Sequence, residues 1–167
     1  MHTIVFRLIA LATTAGSLAA CGNQNDNRAA PTDWLSTDTC ALVDSSDLAT
    51  VFENPAQVRA TRRTDPTGPF CEWTSMAGFN SLQVGLMTAP PGFENVKPMQ
   101  VRSFGIGGHT VSVGSEERGN CNVGIFYDNY RLTISIHPDR AKMAGSTANC
   151  DAQKPLIERI TARVDQI

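Results

Sequence analysis

The stretch "CNVGIFYDNYRLTISIHP", Cys121 to Pro138, decides the fold. Apolar and polar residues alternate on both sides of Asp128-Asn129. A period of two describes a strand with one face in a core and the other toward solvent. The Asp-Asn pair suits a tight hairpin between two such strands. Working outward, "HTVSVGS" (His109 to Ser115), "SLQVGLMTA" (Ser81 to Ala89) and "FCEWTSM" (Phe70 to Met76) alternate in the same way. In the last of these, Cys71 and Trp73 face inward, with Phe70, Glu72 and Thr74 on the other side. "AQVRATRR" (Ala56 to Arg63) is a first strand, "DPTGP" (Asp65 to Pro69) a turn and "AGFN" (Ala77 to Asn80) a hairpin turn.

Helical periodicity is confined to the two ends of this region. In "TCALVDSSDLATVFEN" (Thr39 to Asn54), Leu48, Val51 and Phe52 share a face, Asp44 or Ser45 can cap, and Pro55 stops the helix. In "DAQKPLIERITARVDQI" (Asp151 to Ile167), Leu156, Ile160 and Val164 recur at intervals of four, with Ile157 beside them. Pro155 sits in the first turn, where its missing N–H costs nothing. The expected fold is α+β: a single antiparallel sheet of about five to six strands, with a short N-terminal helix and a C-terminal helix packed on one face.

The chain has 167 residues, five of them cysteines, and a formal net charge of -2. A near-neutral balance, pI about 5.9, argues against a nucleic-acid partner, because phosphate binding needs a basic face. The basic cluster "RATRR" (Arg59 to Arg63) reads as a solvated loop or edge strand.

An odd cysteine count in an exported chain asks which thiol is left over. After Arg7, "LIALATTAGSLAA" (Leu8 to Ala20) is apolar or small throughout. It is shorter than the ~20 residues that cross a bilayer and has the length of a signal-peptide core. Leu18-Ala19-Ala20-Cys21 resembles the bacterial lipobox, in which a cysteine after small residues receives diacylglycerol. The expectation is a lipoprotein signal peptide over residues 1–20, with Cys21 the lipid-modified mature N-terminus. A flexible polar tether follows over 21–37, opening with "GNQNDNRAAPTD" (Gly22 to Asp33), and one disulfide-stapled domain over 38–167. The membrane is thus a partner through Cys21, and the chain is exported to the outer face of the cell membrane.

Cys40, Cys71, Cys121 and Cys150 remain. Their spacings lack the close pairs of a zinc site, and export favours oxidation. Four cysteines allow three connectivities. The sequential one, Cys40–Cys71 and Cys121–Cys150, is preferred; each bridge would close a loop worth roughly 3.5 kcal/mol in chain entropy. The sequence leaves the other two open.

Six pieces taken in order are "DTCALVDSSDLATVF", "CEWTS", "SLQVGL", "GIGGHTVSV", "CNVGIFYDNYRLTISI" and "NCDAQKPLIERITARV". Together they resemble the actinobacterial lipoproteins of domain-of-unknown-function family 3558, over about Asp38 to Val164. The resemblance implies an envelope lipoprotein with paired cysteines and carries no activity or catalytic residues. Thr39 stands where family members usually have proline.

No catalytic or cofactor constellation stands out. "GIGGH" (Gly105 to His109) precedes a strand, the reverse of a phosphate loop, and reads as a turn. His109 and His137 are single histidines at strand ends, "HPDR" (His137 to Arg140) is a strand exit, and Trp73 reads as core. No cofactor and no metal are expected. The expected function is non-catalytic binding of a small or apolar ligand, a lipid or an envelope protein. The alternative is an envelope hydrolase or accessory enzyme. The loop Pro90 to Pro98 is the candidate rim, where Phe93 and Met99 would offer apolar contact and Glu94 and Lys97 orientation.

Overall fold

The computed structural model describes residues 34–76, 80–89, 101–116, 119–139, 142 and 150–167. Seven strands form one sheet: β1 (Arg59–Asp65), β2 (Gly68–Thr74), β3 (Ser81–Thr88), β4 (Arg102–Ile106), β5 (His109–Ser115), β6 (Cys121–Phe126) and β7 (Tyr130–His137). Their order is β1-β2-β3-β7-β6-β5-β4, and every neighbouring pair is antiparallel. Two meanders therefore meet where β3 pairs with β7. The connection from Thr88 to Arg102 carries the chain from the middle of the sheet to its far edge.

The sheet has seven strands where five to six were expected. β4 is the strand without a clean sequence signal: an arginine, a serine and a glycine interrupt Phe104 and Ile106. It is held by β5 through the turn Gly107-Gly108, whose φ of +55° and +87° suits residues without a Cβ. The first strand begins at Arg59, later than expected, because Pro55–Gln57 forms a 3-10 turn. β1 is an edge strand exposed along its length, as the arginine cluster suggested. The turn at Asp128-Asn129 closes with Tyr127 N–H donating to the Tyr130 carbonyl at 2.9 Å.

Alternation places Cys71, Trp73, Leu82, Val84, Leu86, Val111, Val113, Cys121, Val123, Ile125, Leu132, Ile134 and Ile136 on one face, all buried. Helices α1 (Ser45–Val51) and α2 (Lys154–Val164) supply Val51, Leu156, Ile157, Ile160 and Val164 to the same core. Burying one such side chain is worth about 1.5–3 kcal/mol, so this face holds the fold together.

Asp44 is the cap of α1. Its carboxylate accepts from the Ser46 and Asp47 N–H groups, and Asp47 returns a bond to the Asp44 N–H. Asp47, fully buried, also accepts from Arg159 Nε at 2.7 Å and Arg163 Nη1 at 2.6 Å on α2. The two helices are thereby joined by ions as well as by apolar contact.

Cys40 is bonded to Cys71, and Cys121 to Cys150. The first bridge ties the 3-10 turn Thr39–Leu42 to β2; the second ties the segment leading into α2 to β6. Packed structure begins before the expected domain start at residue 38. Trp34–Ser36 forms a 3-10 turn, and Trp34 stacks on Tyr130 with ring centroids 5.6 Å apart. The tether expected as far as residue 37 has thus given way to fold by Trp34. The signal segment, Cys21, the turn residues 77–79 and the loop residues 90–98 lie outside the described residues.

Candidate functional site

The face of the sheet opposite the helices carries the other half of each alternation. Strand register sorts its side chains into rows running across the strands. In one row Glu72, Gln83, Ser135 and Asn122 are successive partners, with Ser115 opposite Asn122 at a register shift in β5. They are bonded into a ladder. Gln83 Nε2 donates to Glu72 Oε1 at 2.8 Å, Ser135 to Asn122 Oδ1, and Asn122 Nδ2 to Ser115 Oγ at 2.5 Å. Cross-strand bonds of this kind lock polar side chains in place on a half-buried surface.

Two residues along each strand, the next row is Phe70, Gly85, Thr133 and Gly124. Two of its four members have no side chain. The row beyond holds Met87, Arg131 and Phe126. A glycine-floored row between two walls is a trough, with Thr133 standing in its middle and donating to the Gly85 carbonyl at 3.2 Å. Two hollows adjoin along it. One, of about 200 Å³, lies over Gly85 beside Phe70 and Met87. The other, of about 240 Å³, lies between Gln83, Asn122, Arg131 and Ser135.

Arg131 closes one end. Its guanidinium lies on Gly124, where a Cβ would overlap it, and over the Phe126 ring at 5.2 Å. Burial lowers its pKa from the ordinary guanidinium value, because a low-dielectric surrounding disfavours the charged form.

Ser135 and His137 also meet here, with Oγ 3.2 Å from Nε2. Ser135 donates its hydroxyl hydrogen to the Asn122 side-chain oxygen, whereas a nucleophile directs that hydrogen at the ring nitrogen of its base.

Three other polar clusters lie on the helix side or at the sheet edge. The Tyr127 and Tyr130 rings stack at 4.6 Å. His109 Nε2 and Tyr127 Oη share Asp165 Oδ1 at 3.0 and 2.8 Å. His109 thus has a carboxylate neighbour, from the end of α2, that its sequence surroundings did not offer. Burial first, and the bond to Asp165 second, push the Tyr127 phenol above its usual range, which keeps it a neutral donor pinning α2 to the sheet. Glu116 receives both Arg102 Nε and Nη2 at 2.8 Å, and Asp151 receives Arg102 and Lys154. The third is the Asp47 pair of arginines. Among the described residues no group of three or more His, Cys, Asp or Glu could hold a metal ion, and no helix is long and apolar enough to cross a membrane.

Of the residues singled out from the sequence, the four cysteines are paired in sequential order and Trp73 is buried core. Gly107-Gly108 is a turn, and His109 and His137 belong to different clusters. Phe93, Glu94, Lys97 and Met99 lie outside the described residues. The trough was missed. Its sequence signal was one glycine inside each of two clean strands, Gly85 in "SLQVGLM" and Gly124 in "CNVGIF", the mark of a close backbone approach. No protein-family model, curated protein or solved structure matches the chain.

Proposed function

We propose that this chain is an exported cell-envelope lipoprotein, anchored through diacylglycerol on Cys21, that binds a small polar ligand without catalysing its conversion. The anchor rests on the lipobox after an apolar core of signal length, together with the resemblance to domain-of-unknown-function family 3558. Two disulfides in one domain agree with an oxidising compartment. The binding reading rests on one observation, the glycine-floored trough between the Gln83–Ser135–Asn122 wall and the Met87–Arg131 wall. Its amides, hydroxyls and cation move the expected ligand from apolar to polar.

Each hollow is smaller than the ~300–1,000 Å³ of drug-sized sites, which favours a compact ligand. Thr133→Phe fills the trough from its middle row without touching the core face. It should abolish ligand-induced amide shifts at Gln83, Thr133 and Ser135 while leaving the urea midpoint within a few tenths of a molar of wild type. Ligand shifts that persist in Thr133→Phe refute the site. The hydrolase alternative would draw on the Ser135–His137 contact, with Ser135 as its nucleophile. Labelling of Ser135 by a fluorophosphonate probe would overturn the non-catalytic reading; an unlabelled protein is expected.

A further inference from the structure

The lining of the second hollow carries more information than its shape. Among the described residues that line it, the charged member is Arg131, and the other polar side chains, Gln83, Asn122, Thr133 and Ser135, are neutral. The carboxylate of Glu72 stands outside the hollow and is occupied by Gln83 Nε2. A primary amide has two donor hydrogens. Gln83 spends one on Glu72 and Asn122 one on Ser115, which leaves each a second hydrogen for a ligand. Thr133 and Ser135 have donated their hydroxyl hydrogens to Gly85 and Asn122, so their oxygens are left to accept.

The donors are also arranged by kind. Arg131 springs from the wall opposite Ser135, but its guanidinium lies over Gly124 in the floor row, two residues along β6 from Asn122 and so about 7 Å along the strand at ~3.3 Å per residue. The cation therefore stands at one end of the trough, beside the amides and hydroxyls of the other wall. A guanidinium is a fork of donors matched to an oxyanion. Gly124 is what lets that fork lie down into the trough, since any Cβ there would overlap Arg131 Nε and Nη2. Resting on the proposal that the trough binds a ligand, we infer that its occupant is a soluble monosaccharide-sized polyol with one oxyanion, phosphate or carboxylate. The oxyanion lies on Arg131 and the hydroxyls on the Gln83–Ser135–Asn122 wall. The planar donor fork of Arg131 selects the oxyanion, and the mixed donors and acceptors select the polyol.

The test is a calorimetric and amide-shift titration of the full-length protein in detergent micelles with glucose 1-phosphate, glucuronate and glucose. Both anionic sugars should bind at least tenfold more tightly than glucose and shift trough resonances. Arg131→Met should remove that preference and leave glucose unchanged, while Arg131→Lys retains part of it. Gly124→Ala is the second variant: it keeps the charge, displaces it from its seat, and should lose the preference as well. Equal trough shifts with all three sugars would overturn this inference and leave the binding site standing. No trough response to any of them would overturn both. Tighter binding of dihexanoyl phosphatidylglycerol than of glucose 1-phosphate would assign the trough to a lipid headgroup and overturn the soluble polyol.

Discussion

Replacing Asp47 tests how the two helices are held on the sheet. Its carboxylate is wholly buried and accepts three bonds: from the Asp44 N–H at 3.1 Å, Arg159 Nε at 2.7 Å and Arg163 Nη1 at 2.6 Å. Asn fits the same space but sets an NH₂ against donors, so at least one bond becomes a donor–donor repulsion. Breaking a buried pair by removing one partner costs about 3–5 kcal/mol when both groups are dry. Here the arginines are not dry: the side chains of Arg159 and Arg163 are 40% and 28% exposed, so water screens part of the loss. Arg163 also keeps the Leu42 carbonyl and Asp44. These discounts bring Asp47→Asn to roughly 2 kcal/mol. Asp47→Ala, which also strips the helix N-terminus of a bond worth ~1 kcal/mol, comes to about 3. Urea unfolding followed by circular dichroism reads both, with an unchanged slope. A double-mutant cycle with Arg159→Met should return a coupling of about 1 kcal/mol or more. A loss below 0.5 kcal/mol for Asp47→Ala, or a coupling of zero, refutes Asp47 as the ionic joint between α1 and α2.

Removing the second bridge with Cys121→Ala and Cys150→Ala together frees a loop with a sequence separation of 29. The chain-entropy term is about 3.5 kcal/mol, and at roughly 3–4 °C per kcal/mol for a domain of this size the melting temperature should fall by about 10–14 °C. A fall under 3 °C in differential scanning calorimetry contradicts it. Acid should destabilise the fold through carboxylates whose folded pKa is depressed: Asp44 chiefly by Ser46, Glu116 chiefly by Arg102, and Asp151 chiefly by Lys154. A depressed carboxylate stabilises above its unfolded pKa, about 4, and loses that contribution as pH falls through the folded value. The urea midpoint should therefore be flat from pH 7 to about 5 and drop below pH 4. Glu116→Gln should lower the midpoint at pH 6 more than at pH 3; an equal loss at both removes Glu116 from the linkage.

Much of this protein was legible in the sequence because its governing signals are local. The period of two in β2, β3, β5, β6 and β7 follows from strand geometry, and it settled which residues face the core before any partner was known. The cap was narrowed to Asp44 or Ser45, and Pro55 was legible as a stop. The even set of four cysteines after Cys21, without the close pairs of a zinc site, pointed to two bridges. β4 was lost because a strand of five residues with an arginine and a glycine in it has no local advantage; it exists because β5 offers it a ladder. Trp34 was read into a tether because its surroundings show no apolar period, and its stacking partner Tyr130 is almost a hundred positions away. Asp47 was visible as a helix residue but not as a buried ion, since Arg159 and Arg163 reach it from the other end of the chain.

The sequence by itself determined the class, the alternating faces and the cysteine inventory, the first two carried by residues within a few positions of one another. Only the tertiary structure decided which cysteines meet, because all three connectivities are compatible with the spacings. It alone decided that β3 pairs with β7 in the register Gln83↔Ser135 and Gly85↔Thr133. That register is the physical origin of the site. A slip of one residue would turn Gln83 and Ser135 into the core and Leu82 and Ile134 out of it. The burial of one face thus forces the polar residues of four strands into a row on the other and sets two glycines beside Thr133.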